Sequence, residues 1–354
     1  MSLEEKLPLI VIKALRRIPC WPGTKAARRH MEMLVRHRPL DINIETTNFC
    51  PFGCVFCPNH KEKRPKKIMD MDLFRKICRD FYQLGGGTLA LCSMQADIFS
   101  DDLLLARLSE IQKYRDRFYL YTTTNLAGAA KLSDEQLEFF LGMFDCLDIS
   151  VGGLARHSYQ IMCGVDAFNL VMKQLDRVAG IVKKNAFSIC LDLNVRTNDP
   201  AAVRRSPAFR ELKKSYSIVG IKSTFFSWGG RISQSDLPRG AKLSIVDNRL
   251  RRDDCVVPWA TLSVNVDGQV VGCGCVDWEG HYIIGDMMRQ TIQEVWESET
   301  AVEFRTAFSR GKVPPLCQEC ALYISKRKGF SGPELVAYEP IDGLYYKQIR
   351  RRKN

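Results

Sequence analysis

The chain has 354 residues, of which 45% are hydrophobic and 26% charged, and a formal net charge of +12 at neutral pH. Single cores stop growing near ~250–300 residues, so one large domain plus a smaller one is expected. The composition excludes a disordered, collagen-like or low-complexity chain, and no apolar run approaches the ~18 residues of a membrane span.

In chain order, residues 1–40 read as a basic extension, with nine Lys/Arg against three acids. Glu4 and Glu5 come early and Pro8 breaks the apolar run Leu7–Ile12, so no export signal is expected and the location reads as cytoplasmic. Residues 7–18 predict a short amphipathic helix with Val11, Ala14, Leu15 and Ile18 on one side. From 41 to 231 short apolar runs alternate with helical patterns. The predicted strands are Asp41–Thr46, Thr88–Cys92, Phe118–Thr123, Cys146–Val151, Ser188–Val195 and Val219–Phe226. The predicted helices are Met71–Leu84, Asp102–Tyr114, Ser133–Met143, Phe168–Lys184 and Ser206–Ser215. Such β-then-α steps predict an α/β fold with a parallel sheet.

The polar stretch 232–252 reads as a linker. A second unit follows at 253–330. In it Ala260–Val266 and Gln269–Gly272 flank Asp267-Gly268, a hairpin signal, and Thr291–Phe308 reads as one helix. Residues 331–354 form a basic tail. The segments 1–40 and 341–354 carry +10 of the +12. These tails read first as a solubilising fringe, with no firm nucleic-acid or membrane partner.

Fourteen cysteines without an export signal point to metal ligands rather than disulfides. Cys50, Cys54 and Cys57 have the spacing C-x3-C-x2-C directly after the first predicted strand. Three thiolates can hold three irons of a cubane and leave the fourth open. A structural zinc loop is the alternative, but zinc takes four ligands and only His60 follows closely. A second set, Cys255, Cys273, Cys317 and Cys320, provides four thiolates, with Cys275 as a spare that could exchange with Cys273. The other cysteines (20, 78, 92, 146, 163 and 190) mostly sit in apolar patterns and read as small buried hydrophobes. Cys163 is set apart, because a thiol at a barrel mouth can return hydrogen to a carbon radical.

The first motif, with Phe56 before its last cysteine, resembles the signature of the radical S-adenosylmethionine (SAM) superfamily. The resemblance covers about Asp41–Arg231 and implies a partial (β/α)6 TIM barrel. It implies a 4Fe–4S cluster on Cys50, Cys54 and Cys57, with SAM chelated at the open iron and Phe56 beside the adenine. SAM cleavage would then give a 5′-deoxyadenosyl radical that takes hydrogen from carbon. Where the superfamily has Gly-Gly-Glu, this chain has Ser93-Met94-Gln95-Ala96-Asp97, so Gln95 or Asp97 is the expected substitute for holding the SAM ammonium. Asn125, Ser150 and Arg196 resemble other SAM-binding positions of the superfamily. An external one-electron reductant, such as flavodoxin or ferredoxin, is implied as partner.

The second cysteine set, with Cys255-Val-Val-Pro-Trp259, Asp267-Gly268, Ile284-Gly285-Asp286 and Cys317-Gln-Glu-Cys320, resembles the SPASM/Twitch extension of radical SAM enzymes. It implies a β-hairpin plus helix domain with one auxiliary 4Fe–4S cluster, two clusters in all. A zinc ribbon is the alternative. An auxiliary cluster can accept an electron, so oxidation of a carbinol carbon is expected, with Asp277 as the candidate base. His157, Tyr159, Lys222, Trp228 and Arg231 are further residues at or after strand ends. The expected function is a radical SAM oxidoreductase, a dehydrogenase or epimerase, acting on a sugar, aminocyclitol or nucleoside. The alternatives are a maturase of a precursor peptide or protein side chain, and a zinc-bound nucleic-acid-binding protein.

Overall fold

The computed structural model describes residues 33–92, 95–244, 253–277, 279–318 and 320–326. The helix expected at 7–18 and both basic tails lie outside the described residues.

Six parallel strands run in chain order through the main sheet: β1 (Asp41–Ile44), β2 (Gly87–Leu91), β3 (Phe118–Thr124), β4 (Cys146–Val151), β5 (Cys190–Arg196) and β6 (Ile218–Lys222). The helices between them are α1 (Met71–Gln83), α2 (Leu104–Ile111), α3 (Asp134–Met143), α4 (Arg156–Cys163), α5 (Phe168–Lys184), α6 (Pro200–Arg205) and α7 (Pro207–Ser215). This is the expected α/β barrel-type architecture. Local chemistry fixes the helix starts: Asp70 caps α1 by accepting from Asp72 N–H and Leu73 N–H, and Ser133 with Gln136 forms a capping box on α3.

Alternation along the strands sorts the two faces. Ile42, Ile44, Leu89, Leu91, Leu120, Leu147, Ile149, Leu191 and Leu193 pack into one large core with the helices. Their neighbours in sequence are largely polar. Across the sheet, Thr123 is in register with Asp148 and Asp148 with Asp192; Ser150 pairs with Asn194 and Arg196 with Lys222. Register partners share a face, so the side of the sheet away from the helices is polar over several layers.

The C-terminal unit joins this same sheet. Strand β9 (Thr261–Val264) pairs in parallel with β1, placing Ser263 opposite Asn43. Strands β10 (Gln269–Val271) and β11 (Ile283–Asp286) follow antiparallel, giving the order β11-β10-β9-β1-β2-β3-β4-β5-β6. Nothing in the periodicity of the hairpin announces that its first strand extends the barrel sheet. In the stretch expected as a linker, Gln234–Asp236 forms a 3-10 turn, and β8 (Lys242–Leu243) pairs with β7 (Thr224–Phe225).

Three element boundaries correct the sequence expectation. The strand expected at 219–226 stops at Lys222, and the chain turns there to form β7. The helix expected at 291–308 is two helices, α9 (Ile292–Glu297) and α10 (Glu299–Arg305). Ser298 stands between them with extended backbone and caps α10 by accepting from Ala301 N–H at 3.2 Å. Helix α4 lies in a stretch for which no helix is expected. Its C-terminus is closed by Gly164 in the left-handed region (φ +71°), a stop signal legible in the sequence. A short α8 (Val256–Ala260) also precedes β9. No helix among the described residues is long and apolar enough to cross a membrane.

Candidate functional site

Strand β1 delivers the chain to the loop that carries Cys50, Cys54 and Cys57. Three backbone hydrogen bonds pin this loop: Asp97 N–H to the Phe49 carbonyl at 3.1 Å, Val55 N–H to the Met162 carbonyl at 3.1 Å, and Cys57 N–H to the Cys54 carbonyl at 3.0 Å. The end of α4 comes so near that a Cβ on Gly164 would stand 2.6 Å from the Gly53 carbonyl oxygen. The missing side chain there is what lets loop and helix meet.

The thiols are partly buried and close enough to influence one another. Burial pushes Cys57 up to about 12, and pushes Cys50 up as well, with further contributions from neighbouring charges. Cys54 is held up first by a hydrogen bond with the Cys163 thiol, then by burial. Three buried thiolates on one short loop repel one another unless a cation lies between them. An iron–sulfur cluster supplies that charge, so the donor set fits one.

The remaining residues fall into two groups around the loop. On the Cys50 side, the Asn125 side-chain amide Nδ2 lies 3.7 Å from Cys50 Sγ, while Asn125 N–H and the Thr124 hydroxyl each donate to Asp97 Oδ2 at 2.8 Å. Asp97 Oδ1 also accepts from Phe99 N–H at 3.1 Å, so this carboxylate ties three neighbouring groups together. On the Cys57 side, Phe56 stacks on Phe225 with ring centroids 4.9 Å apart, and the Arg196 guanidinium lies 5.2 Å from the Phe56 ring centroid. Arg196 Nε donates to Ser150 Oγ at 2.6 Å, and its positive charge opposes the rise of the Cys54 and Cys57 thiols. Trp228 Nε1 donates to the Phe56 carbonyl at 2.9 Å.

Cys255, Cys273, Cys275, Cys317 and Cys320 line one small cavity with Val257, Pro258, Phe308, Leu322 and Tyr323 among their neighbours. Burial first, then the neighbouring Cys273 charge, pushes Cys255 up to about 12. The Cys273 and Cys275 thiols are hydrogen-bonded to each other, so both remain candidates for one ligand position. Leu322 N–H donates to Cys320 Sγ at 3.4 Å. Among the described residues no three His, Cys, Asp or Glu converge as one metal ion requires. The thiols surround a space instead, and a multi-atom cluster is what such a space fits.

A further small cavity opens at the seam of barrel and hairpin. Asn43, Glu45, Cys92, Gln95, Ser263, Asn265 and Gly274 are among its lining residues. Gln95 is only 7% exposed, and among the described residues neither its amide nitrogen nor its amide oxygen has a hydrogen-bond partner.

Asp277 is buried beside the second cysteine set. Its Oδ1 accepts from His281 N–H at 2.8 Å and lies 3.2 Å from His281 Nδ1, and its Oδ2 accepts from Tyr282 N–H at 2.8 Å. Burial raises its pKa and these bonds oppose the rise. His281 was missed by sequence reasoning, although its i+4 spacing from Asp277 was visible. Also missed was Glu45, which Arg64 grips with both Nη atoms at 2.9 and 2.6 Å and which accepts from Val266 N–H at 3.0 Å. That pair fastens the end of β1 to the hairpin turn. Of the further residues at strand ends, Tyr159 is buried against Phe52 and Phe168, whereas His157 and Lys222 are exposed. Arg231 forms an ion pair with Glu279.

The SPASM family, an iron–sulfur cluster-binding domain, matches residues 255–321. That range spans the second thiol set and its cavity, beside a parallel barrel sheet whose first loop carries C-x3-C-x2-C. Residues 255–321 are a SPASM domain, and its place beside this barrel sheet and cysteine loop supports a radical SAM enzyme. In sequence it is similar to a probable GTP 3′,8-cyclase of Saccharolobus islandicus (strain M.14.25 / Kamchatka #1), at 28% identity over 140 residues. The match spans 38% of this chain and 42% of that relative, less than half its length. In fold it is similar to BtrN in complex with AdoMet and 2-DOIA, with a TM-score of 0.51 and 17% identity over 79% of this chain and 92% of that one. It is also similar to Streptococcus suis SuiB bound to precursor peptide SuiA, with a TM-score of 0.54 and 12% identity over 94% of this chain and 84% of that one. The SPASM match and the radical SAM fold support 4Fe–4S clusters and SAM as cofactors.

Proposed function

We propose that this protein abstracts hydrogen from a carbinol carbon of a hydroxylated small molecule of the sugar, aminocyclitol or nucleoside type, and oxidises or epimerises it. The observation that carries this reading is the seam cavity. A buried Gln95 amide without a partner, set among Asn43, Ser263 and Asn265, suits a ligand that offers several hydroxyl or amino groups. Polar layers on β3, β4 and β5 carry similar chemistry elsewhere on that face of the sheet. A large apolar side chain would leave the Gln95 amide unsatisfied.

In this reading Cys50, Cys54 and Cys57 hold the SAM-binding cluster. Phe56 and the Ser150–Arg196 pair face the SAM nucleoside and carboxylate. Gln95 remains the candidate for the SAM ammonium or for the substrate. Asp97 acts by positioning, because its oxygens already accept from Phe99, Thr124 and Asn125. The bound cluster and SAM supply a 5′-deoxyadenosyl radical. A carbinol carbon that has lost a hydrogen atom becomes a ketone by losing one proton and one electron. The four-thiol site at Cys255, Cys273, Cys317 and Cys320 gives the electron a destination. Asp277, with His281 hydrogen-bonded to it, gives the proton one.

The test is anaerobic reconstitution with iron and sulfide, followed by incubation with SAM and dithionite and a panel of C-deuterated cyclitols, sugars and nucleosides set against short peptides. The expected result is about eight irons per chain, as two cubanes require, with deuterium carried from a carbinol carbon into 5′-deoxyadenosine. Deuterium transfer from peptides alone would replace this reading with peptide maturation. A colourless chain that holds zinc and cleaves no SAM would end it.

A further inference from the structure

We infer that Asn125 and Cys163 donate hydrogen bonds to the sulfurs of Cys50 and Cys54, and that these two donors set how readily a cluster on those sulfurs is reduced. The inference rests on the reading that Cys50, Cys54 and Cys57 hold a cluster.

The Asn125 amide has a fixed orientation. Its Oδ1 accepts from Ala127 N–H at 3.0 Å, so the NH2 end is the one that faces Cys50 Sγ at 3.7 Å. The surrounding loop is folded tightly to hold it there. Asn125 N–H is tied to Asp97 Oδ2 at 2.8 Å, and Thr124 Oγ1 accepts from Leu126 N–H at 2.9 Å. Leu126 is fully buried in the left-handed region, with φ +67°. A branched residue enters that region only when its surroundings impose it.

Cys163 meets Cys54 through a thiol–thiol hydrogen bond. Its thiol ends α4, whose Met162 carbonyl already holds Val55 of the cluster loop. Gly152 makes room for the sulfur, since a Cβ there would stand 2.4 Å from Cys163 Sγ. With Cys54 ligated as a thiolate, Cys163 is the partner that still carries a hydrogen to donate. Donors to ligand sulfur stabilise the more negative, reduced state and so raise its potential. An amide N–H is a stronger donor than a thiol S–H, so Asn125 has the larger effect.

The experiment is an EPR-monitored redox titration of the reconstituted full-length chain without SAM, with the auxiliary cluster as internal reference. Asn125→Asp keeps the shape and the Ala127 acceptor but replaces the donor with a carboxylate. Asn125→Leu removes the donor outright. Both are expected to move the first cluster to a more negative potential, by about tenfold in the reduction equilibrium, or ~59 mV for one electron. Cys163→Ala is expected to give a smaller shift in the same direction, and Cys163→Ser, which keeps a donor, to restore most of it. Iron content and the auxiliary potential are expected to hold, and SAM affinity is read beside them by equilibrium dialysis. Unchanged potential in both Asn125 variants with full iron would overturn the inference. Lost SAM affinity at unchanged potential would overturn it in favour of a SAM contact. A wild-type chain that takes up no iron at this loop would overturn the underlying reading together with it.

Discussion

A single methyl group at position 152 tests whether Cys163 and the cluster loop form one packed unit. In Gly152→Ala the new Cβ would lie 2.4 Å from Cys163 Sγ, and 3.2 Å from both Met162 Cβ and the Tyr159 carbonyl oxygen. Ordinary contact needs ~3.5–4.0 Å, so the sulfur must move by more than about 1 Å. It has little room, because Tyr159 and Met162 are buried and the Met162 carbonyl holds Val55. Overpacking of this kind costs ~1–3 kcal/mol. Cys163→Ala alone removes one buried atom, worth about 1 kcal/mol. If the clash is with that sulfur, the double variant Gly152→Ala/Cys163→Ala should be no less stable than Cys163→Ala. The coupling energy is then at least ~1 kcal/mol. Urea midpoints of the four anaerobically reconstituted proteins, at unchanged m, measure it. Additivity within ~0.5 kcal/mol would show that the cost arises elsewhere and that Cys163 is not wedged between α4 and Cys54.

Cys54→Ala should abolish SAM cleavage and lower iron by about one cubane, four irons, with the auxiliary cluster retained; iron analysis beside a 5′-deoxyadenosine assay reads both. Cys317→Ala should spare reductive SAM cleavage yet lose net oxidation of substrate, and retained product would make the second cluster structural. Ser298→Ala removes the cap that separates α9 from α10 and should cost ~1 kcal/mol in urea denaturation, with no effect on iron content. Arg305 is buried between Trp296 and Trp259, with ring centroids 4.4 and 5.3 Å away, and desolvation lowers its pKa to about 10. Its Nε and Nη1 lack hydrogen-bond partners, so Arg305→Met should leave the urea midpoint equal or higher. The folded state gives up this proton before the unfolded state does. The charged arginine therefore costs stability below pH ~10, and the penalty fades as pH rises from there toward ~12.5.

The barrel was legible because each of its strands obeys period two and each long helix period 3.6. Cys146–Val151 and Phe168–Lys184 have the expected ends, since apolar runs and breakers coincide there. What escaped was decided by distant contacts. Residues 291–308 keep a helical pattern throughout, and only the extended backbone at Ser298 divides it. The hairpin was visible from Asp267-Gly268, but its pairing with β1 joins residues 220 positions apart, as between Asp41 and Thr261. The thiol sets were plain from spacing alone. The roles around them were not, because Asn125 shows its orientation only through Ala127, and Asp97 its duty only through Phe99, Thr124 and Asn125.

The pairing of β1 with two parallel neighbours has a consequence for chemistry between the thiol sets. Strand β1 leads into the first cysteine loop, β9 leads through the hairpin to Cys273 and Cys275, and both are in register at Asn43 and Ser263. The two sulfur sites are thus carried on adjacent strands of one sheet rather than on domains joined by a hinge. Arg64 reinforces this by holding Glu45, which in turn accepts from Val266 N–H on the hairpin turn. Electron transfer falls steeply with distance, so a fixed spacing is worth more than mobility if one site generates a radical and the other collects its electron. The same rigidity places the Gln95 cavity in the seam between them, where a polar ligand would meet groups from both. If a substrate binds in this seam, neither wall can withdraw from it without breaking β1–β9 hydrogen bonds.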